Sequence, residues 1–256
     1  MELVDAAPLA GLTALVTGAS SGLGARFGEV LAAHGAQVVL AARRGDRLAQ
    51  NVAAIQRDGG VAQAIAMDVR DEHAIASGFD AAESLFGPVH VLINNAGLNH
   101  EGAAMDLSVE RFDEIFDVNV RGVFLCAREM ARRARAHDIG ARGRIVNISS
   151  IGAQRALPGL AAYCASKAAV SMMTQALARE WARHGPNVNA ICPGYIETEI
   201  NAEWLQQEGG RKMLQAFPRR RVIEIGALDQ MIVFLSSPAS AHVTGSLFTI
   251  DDGQSL

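Results

Sequence analysis

The sequence predicts an α/β fold: a single domain built on a doubly wound, mostly parallel sheet of seven strands with helices on both faces. Three observations carry this expectation. Short aliphatic or β-branched runs recur at Thr13-Thr17, Gln37-Ala41, Val61-Met67, Val89-Ile93, Arg144-Ile148, Asn187-Ile191 and Leu247-Ile250. Longer segments with helical spacing of apolar residues separate them, which is the pattern of βαβ units. No repeat, low-complexity tract or linker interrupts the 256 residues, a length at which an α/β core remains one domain.

Each connection has a physical reason to be helical. Between the first two runs, Leu23, Phe27, Val30 and Leu31 fall on one helical face and Gly35 supplies a C-terminal stop. A second helix, about Asp46 to Asp58, ends at Gly59-Gly60, and a third, about Asp71 to Phe86, ends at Gly87-Pro88. Glycine's φ freedom and proline's missing amide hydrogen account for both stops. A long helix is expected over about Val109 to His137, then a surface loop from Asp138 to Gly143. Another helix spans about Ala161 to His184 and stops at Gly185-Pro186. The one long irregular region, about Gly194 to Ile225, carries a helix from about Thr198 to Glu208, a break at Gly209-Gly210 and a further short helical stretch before Pro218. Insertions of this size before a final helix and strand are commonly lids, here over about 195–221.

Composition narrows the function. A formal net charge of -4 provides no basic excess to follow a phosphate backbone, so nucleic acid is not an expected partner. The three cysteines, Cys126, Cys164 and Cys192, match neither a disulfide framework nor a metal site, and no metal is expected. The stretch from Met1 to Leu12 lacks the pattern of a signal peptide, and no run reaches the roughly 18 apolar residues of a membrane span. The expectation is a cytoplasmic protein with a small-molecule substrate and no membrane partner.

The turn Thr17-Gly18-Ala19-Ser20-Ser21-Gly22-Leu23-Gly24 leaves the first run and opens the first helix. Glycines there let backbone amides and the positive helix end approach a pyrophosphate; the other reading is a tight turn with close helix packing. The spacing is G-x-x-x-G-x-G. Together with Asn94-Asn95-Ala96-Gly97 after the fourth run, Tyr163-x-x-x-Lys167, and Pro193-Gly194 after the sixth, it resembles the short-chain dehydrogenase/reductase family from about Leu12 to Leu256. The resemblance implies a Rossmann-like fold over residues 1–256. It also implies a nicotinamide-dependent oxidoreductase that interconverts a carbonyl and an alcohol, with 3-oxoacyl-[acyl-carrier-protein] reductases among the relatives.

Cofactor contacts follow residue by residue. Gly18, Ser20, Ser21, Gly22, Leu23 and Gly24 form the pyrophosphate turn. The second run ends Ala41-Ala42-Arg43-Arg44, with no carboxylate to accept from a ribose 2′-hydroxyl and with a guanidinium available to a 2′-phosphate. NADP(H) is therefore expected over NAD(H), through Arg43 assisted by Ser20; the other reading leaves both arginines solvated. Asp68 and Val69 match the family's adenine contacts, although Asp68 also suits a helix N-cap. Asn95, Ala96 and Gly97 are expected beside the adenosine ribose, or as a structural turn. Pro193, Gly194, the Ile196 backbone and the Thr198 hydroxyl match the family's carboxamide-holding segment, with Thr198 as helix N-cap the other reading.

Tyr163 and Lys167, four apart on a helix, share one face, and an ammonium beside a phenol lowers the tyrosine pKa. By resemblance Tyr163 exchanges the proton, Lys167 also binds the nicotinamide ribose, and Ser150, rather than Ser149, donates a hydrogen bond to the carbonyl oxygen. Asn119 matches the fourth member of the set, holding a water that links Lys167 to solvent; a mid-helix kink residue is the other reading. Substrate walls are expected from Ile151, Leu157, Tyr195 and Trp204, with Leu98, Leu205, Met213 and Phe217 nearby, suiting an apolar ketone or secondary alcohol. Cys164 reads as a packed thiol. Two basic clusters, Arg128/Arg132/Arg133/Arg135 and Arg219-Arg220-Arg221, would suit an acyl carrier protein or CoA thioester, or else make structural ion pairs. Rival functions are a non-catalytic NADP(H) sensor and a non-redox enzyme on the same scaffold. The family also implies a homotetramer built on the two long helices and the C-terminal strand region.

Overall fold

The computed structural model describes residues 7–197 and 205–256. Its strands are β1 (Thr13–Thr17), β2 (Gln37–Ala42), β3 (Val61–Ala66), β4 (Val89–Asn94), β5 (Arg144–Ile148), β6 (Asn187–Pro193) and β7 (Leu247–Ile250). They pair in parallel in the order β3-β2-β1-β4-β5-β6-β7. The three central strands β1, β4 and β5 are buried along their whole length, which is why they read as continuous aliphatic runs rather than alternating ones. At the edge, β3 exposes Val61, Gln63, Ala64 and Ala66 and buries only Ala62 fully.

The helices are α1 (Gly22–Ala33), α2 (Gly45–Arg57), α3 (Glu72–Phe86), α4 (Val109–Phe116), α5 (Val123–Ala136), α6 (Ala161–Trp181), α7 (Glu208–Ala216) and α8 (Asp229–Ser236). Odd and even residues of each strand face opposite layers. On one side Val16, Leu40, Ile93 and Ile148 pack with Phe27 and Leu31 of α1 and Ile232 and Leu235 of α8. On the other, Leu15, Val39, Leu92 and Ile145 meet Phe79 of α3, Met130 of α5 and Leu177 of α6.

Three elements differ from expectation. The long helix is interrupted by a π-helical turn, Asp117–Gly122, between α4 and α5. Asp71, not Asp68, caps α3, its Oδ1 accepting from the amides of His73 at 2.8 Å and Ala74 at 3.3 Å. Gly209 and Gly210 lie in the first turn of α7 rather than ending a helix; the helix expected from Thr198 begins outside the described residues.

The chain passes from β1 outward to β2 and β3, then crosses back to β4. Loops leaving β1 and β4 therefore diverge, and the crevice between them is where open α/β sheets bind ligands. The turn after Thr17, Asn94 to Gly97, Ser149-Ser150 and Pro193-Gly194 all lie at this one edge.

Candidate active site

At the nucleotide end, Gly18 has φ +65, and a Cβ there would fall 2.7 Å from the Cα of Ala96. A Cβ on Gly24 would lie 2.4 Å from Gly18 O and 2.5 Å from Asn95 Nδ2. The turn is held from β4: Asn95 Nδ2 donates to the carbonyls of Thr17 at 3.1 Å and Gly18 at 3.2 Å. The amides of Asn95 and Ala96 donate to Thr17 Oγ1 at 3.0 and 3.1 Å. Ser21, extended at the start of α1, makes no side-chain cap, and the first turn of α1 carries no acidic residue. A turn closed to any side chain at Gly18 and Gly24 and open beside Gly22, at a helix start without a capping side chain, fits a pyrophosphate.

Arg44 rather than Arg43 reaches this turn, its Nη2 donating to Ser20 Oγ at 2.8 Å and Ser21 Oγ at 3.3 Å. Arg43 is exposed nearby, where its charge helps hold the Asp68 carboxyl low. The larger cause of that lowering is the Arg70 hydrogen bond, with Arg70 Nη2 at 2.7 Å from Asp68 Oδ2. Val69, beside it, is buried. Two adjacent arginines at a strand exit gave no sequence signal as to which turns inward.

At the catalytic end, β5 delivers Ser149 and Ser150 and α6 delivers Tyr163 and Lys167. Ser149 is structural: its Oγ donates to Lys167 O at 3.0 Å and shares a 2.9 Å bond with Ser171 Oγ. Ser150 stands near enough to the Tyr163 hydroxyl to favour its ionised form, and its Oγ accepts from the Gly152 amide at 3.0 Å. Lys167 Nζ stands 5.6 Å from the Tyr163 ring centre and donates to Ile148 O at 2.8 Å. Burial pushes the Lys167 amine down to about 8. The Tyr163 phenol is pushed up, chiefly by burial, with Cys164 and Tyr195 adding to it and Ser150 opposing. The expectation of a lowered tyrosine pKa is thus reversed: desolvation of the phenol dominates, and the Lys167 amine, directed at a backbone carbonyl, is not among the groups that lower it. A phenol held protonated is suited to giving a proton.

Asn119 lies in the π turn, fully buried. Its Oδ1 accepts from Leu98 N at 2.9 Å, and its Nδ2 donates to Leu98 O at 2.9 Å and Ser166 Oγ at 3.0 Å. It therefore ties the β4 loop to α6, and a Cβ on Gly97 would touch both Asn119 Oδ1 at 3.4 Å and Lys167 Nζ at 3.5 Å. Mid-helix π turns recur at functional sites because they re-aim a side chain without ending the helix.

Around these groups, Ile151 is buried, and Leu157, Cys164 and Ser150 converge within 3.1 to 3.3 Å of a Cβ placed on Gly152. Tyr195 packs on Phe217, ring centres 5.6 Å apart. Pro193 and Ile196 are buried and Gly194 is half-buried, whereas Thr198 and Trp204 lie outside the described residues. The basic clusters are largely paired. Arg133 contacts Asp80, Glu83 and Glu129, Arg128 contacts Glu72, and Arg219 and Arg221 share Asp252. Among the described residues no helix is long and apolar enough to cross a membrane.

A family model described as enoyl-(acyl carrier protein) reductase matches residues 18–255. Gluconate 5-dehydrogenase of Gluconobacter oxydans is 36% identical over 254 residues, covering 99% of this chain and 98% of the relative. The 3beta-hydroxysteroid dehydrogenase 1 of Eggerthella lenta is 36% identical over 257 residues, covering 97% and 95%. The crystal structure of a gluconate 5-dehydrogenase from Burkholderia cenocepacia, in complex with NADP and tartrate, superposes with a TM-score of 0.91 at 30% identity, over 98% of this chain and 97% of that one.

Proposed function

As the chain belongs to the short-chain dehydrogenase/reductase family of oxidoreductases, we propose that it interconverts a ketone and a secondary alcohol with NADP(H), Tyr163 serving as general acid and base. The observation that carries this reading is the convergence of Ser150, Tyr163, Lys167 and Asn119 at the strand-end edge that also carries a glycine turn closed to side chains at Gly18 and Gly24. With its pyrophosphate in that turn, NADP(H) would supply or accept the hydride. The chain's own residues handle the oxygen. Tyr163 gives its hydroxyl proton to the carbonyl oxygen as negative charge builds there, and Ser150 donates a second hydrogen bond to the same atom. Lys167 keeps a positive charge near the phenol, which offsets the charge left when the proton departs. In oxidation Tyr163 takes the alcohol proton back.

The walls contributed by Ile151, Leu157 and Tyr195 border that oxygen and select among ketones and secondary alcohols. The names of two relatives make D-gluconate and its keto acid the first substrates to try. The carrier-bound 3-oxoacyl reading draws least support, since Arg128, Arg133, Arg219 and Arg221 already face carboxylates. Phe112, Phe124 and Met172, exposed on α4, α5 and α6, suit burial in a homotetramer.

Cofactor choice is the direct test of the arginine pair. Wild type is expected to favour NADPH over NADH in kcat/KM. Arg43→Ala and Arg44→Ala are each expected to lower NADPH efficiency about tenfold, the worth of one charge-assisted hydrogen bond, while leaving NADH efficiency unchanged. A wild type that prefers NADH contradicts the proposal, and loss in only one variant identifies the phosphate contact.

A further inference from the structure

Residues 251–256 carry none of the groups assigned to the reaction, yet they hold the edge of the site. Gln254 is 2% exposed. Its Oε1 accepts from the Tyr195 amide at 2.6 Å, and its Nε2 donates to the carbonyls of Tyr195 at 3.3 Å and Arg221 at 3.2 Å. One side-chain amide therefore joins the residues that leave β6 to those that return toward α8. Tyr195 is satisfied on both its backbone groups, in the manner of an added strand, and its carbonyl also accepts from the Ile223 amide at 3.0 Å.

The neighbouring chain is shaped around this amide. A Cβ on Gly194 would lie 2.4 Å from Gln254 Oε1 and 2.8 Å from the Asp251 Cβ, so only glycine permits the approach. Asp251 secures the Gln254 loop by accepting from the amides of Gly253 at 3.0 Å and Ser255 at 2.8 Å. Asp252, with φ +52, places its carboxylate 3.2 Å from Arg219 and 2.7 Å from Arg221. Arg155, five residues beyond Ser150, donates to Gln254 O at 2.9 Å. The other end of the linkage lies at the strand-end edge that also carries Ser150, where β5 and β6 pair up to Ile148 and Ile191 and the Tyr195 ring rests on Phe217.

We propose that Gln254 is the positioning residue that fixes Tyr195 as a wall of the substrate cleft, and thereby sets which alcohols and ketones fit. This rests on the oxidoreductase reading above. Only a primary amide of this length both accepts from one backbone amide and donates to two carbonyls; a carboxylate lacks the donors and a thioether lacks both functions. Loss of the brace leaves the Tyr163 proton path and the glycine cradle untouched, because neither bonds to Gln254.

Gln254→Met keeps the length and removes all three bonds. Gln254→Glu keeps the acceptor for the Tyr195 amide and loses the two donated bonds, and it serves if the methionine variant fails to fold. Hydrogen exchange at the Tyr195 and Ile223 amides is compared with steady-state kinetics on D-gluconate, a 3β-hydroxysteroid and a 3-oxoacyl-CoA, and with NADPH binding by fluorescence. The expected result is faster exchange at both amides in Gln254→Met and at the Ile223 amide in Gln254→Glu, with a KM raised tenfold or more on the best substrate. In the same variants kcat stays within twofold, and the order of preference among the three substrates changes. Unchanged exchange, an unchanged KM, or kcat and cofactor affinity falling together overturns the proposal in an active enzyme. A wild type that turns over none of the panel with either nicotinamide instead overturns the oxidoreductase reading, and the positioning role with it.

Discussion

Tyr163→Phe is expected to bind NADPH as wild type does and to lose about 10²- to 10⁴-fold in kcat, the usual worth of a positioned general acid. The substitution removes one oxygen. It leaves the ring packed over Lys167 and leaves Ser150 bonded to the Gly152 amide, so the loss isolates the proton. Two groups set the pH range. Burial keeps the Tyr163 phenol protonated well above neutrality, while the Lys167 amine, pushed down to about 8, sheds its charge as pH rises through that value. Reduction by wild type is accordingly expected to be flat below about pH 8 and to decline above it, as the positive charge that favours phenolate is lost. Retention of wild-type turnover by the phenylalanine variant contradicts the assignment of the proton to this residue.

Gly24→Ala is expected to be the most damaging single change at the nucleotide end. Its methyl would sit 2.4 Å from Gly18 O and 2.5 Å from Asn95 Nδ2, two atoms that are themselves hydrogen-bonded to one another. Gly18 O is backbone and Asn95 Nδ2 is pinned by two hydrogen bonds, so the turn must move. Overpacking of this kind costs about 1–3 kcal/mol in stability, and the displaced turn no longer presents its amides to a pyrophosphate, so NADPH affinity falls steeply. Gly45→Ala is the matched control. Nothing lies within 4 Å of the added carbon there, and at the start of α2 alanine is expected to be neutral or slightly stabilising. Thermal melts with and without NADPH measure both variants; equal NADPH-induced shifts in wild type and Gly24→Ala contradict the cradle.

Much of this architecture is legible in the residues because burial leaves a mark on composition. Strands enclosed on both faces must be aliphatic throughout, so β1, β4 and β5 announce themselves, and the helix stops at Gly35, Gly59 and Gly87 coincide with positive φ. The proposed site residues are legible for a different reason: Gly18, Gly24, Asn95 and Ser150 follow strand ends, and Tyr163 and Lys167 stand four apart on α6.

What escaped depends on direction and distance. Arg43 and Arg44 differ only in which way the chain turns as it enters α2. Asp68 and Asp71 are equally plausible caps by type, and only the backbone at Asp71 aims its carboxylate at free amides. Gly209-Gly210 reads as a stop yet opens α7, since glycine is tolerated in a first helical turn. The π turn at Asn119 follows from contacts to Leu98 and Ser166, which lie on two other elements. Gln254 meets Tyr195 across 59 residues of chain, a contact no local pattern encodes. The sign of the Tyr163 shift was missed because spacing reports a neighbouring charge and says nothing of desolvation.

The central claim is that this crevice passes hydride between NADPH and a carbonyl carbon while Tyr163 attends to the oxygen. NADPH deuterated at both C4 positions, incubated with wild type and the best ketone from a panel led by the keto acid of gluconate, tests it by mass spectrometry of the product. The account predicts an alcohol carrying one deuterium on its carbinol carbon, formed in step with loss of absorbance at 340 nm. Product without deuterium, or NADPH left unconsumed across the whole panel, contradicts it.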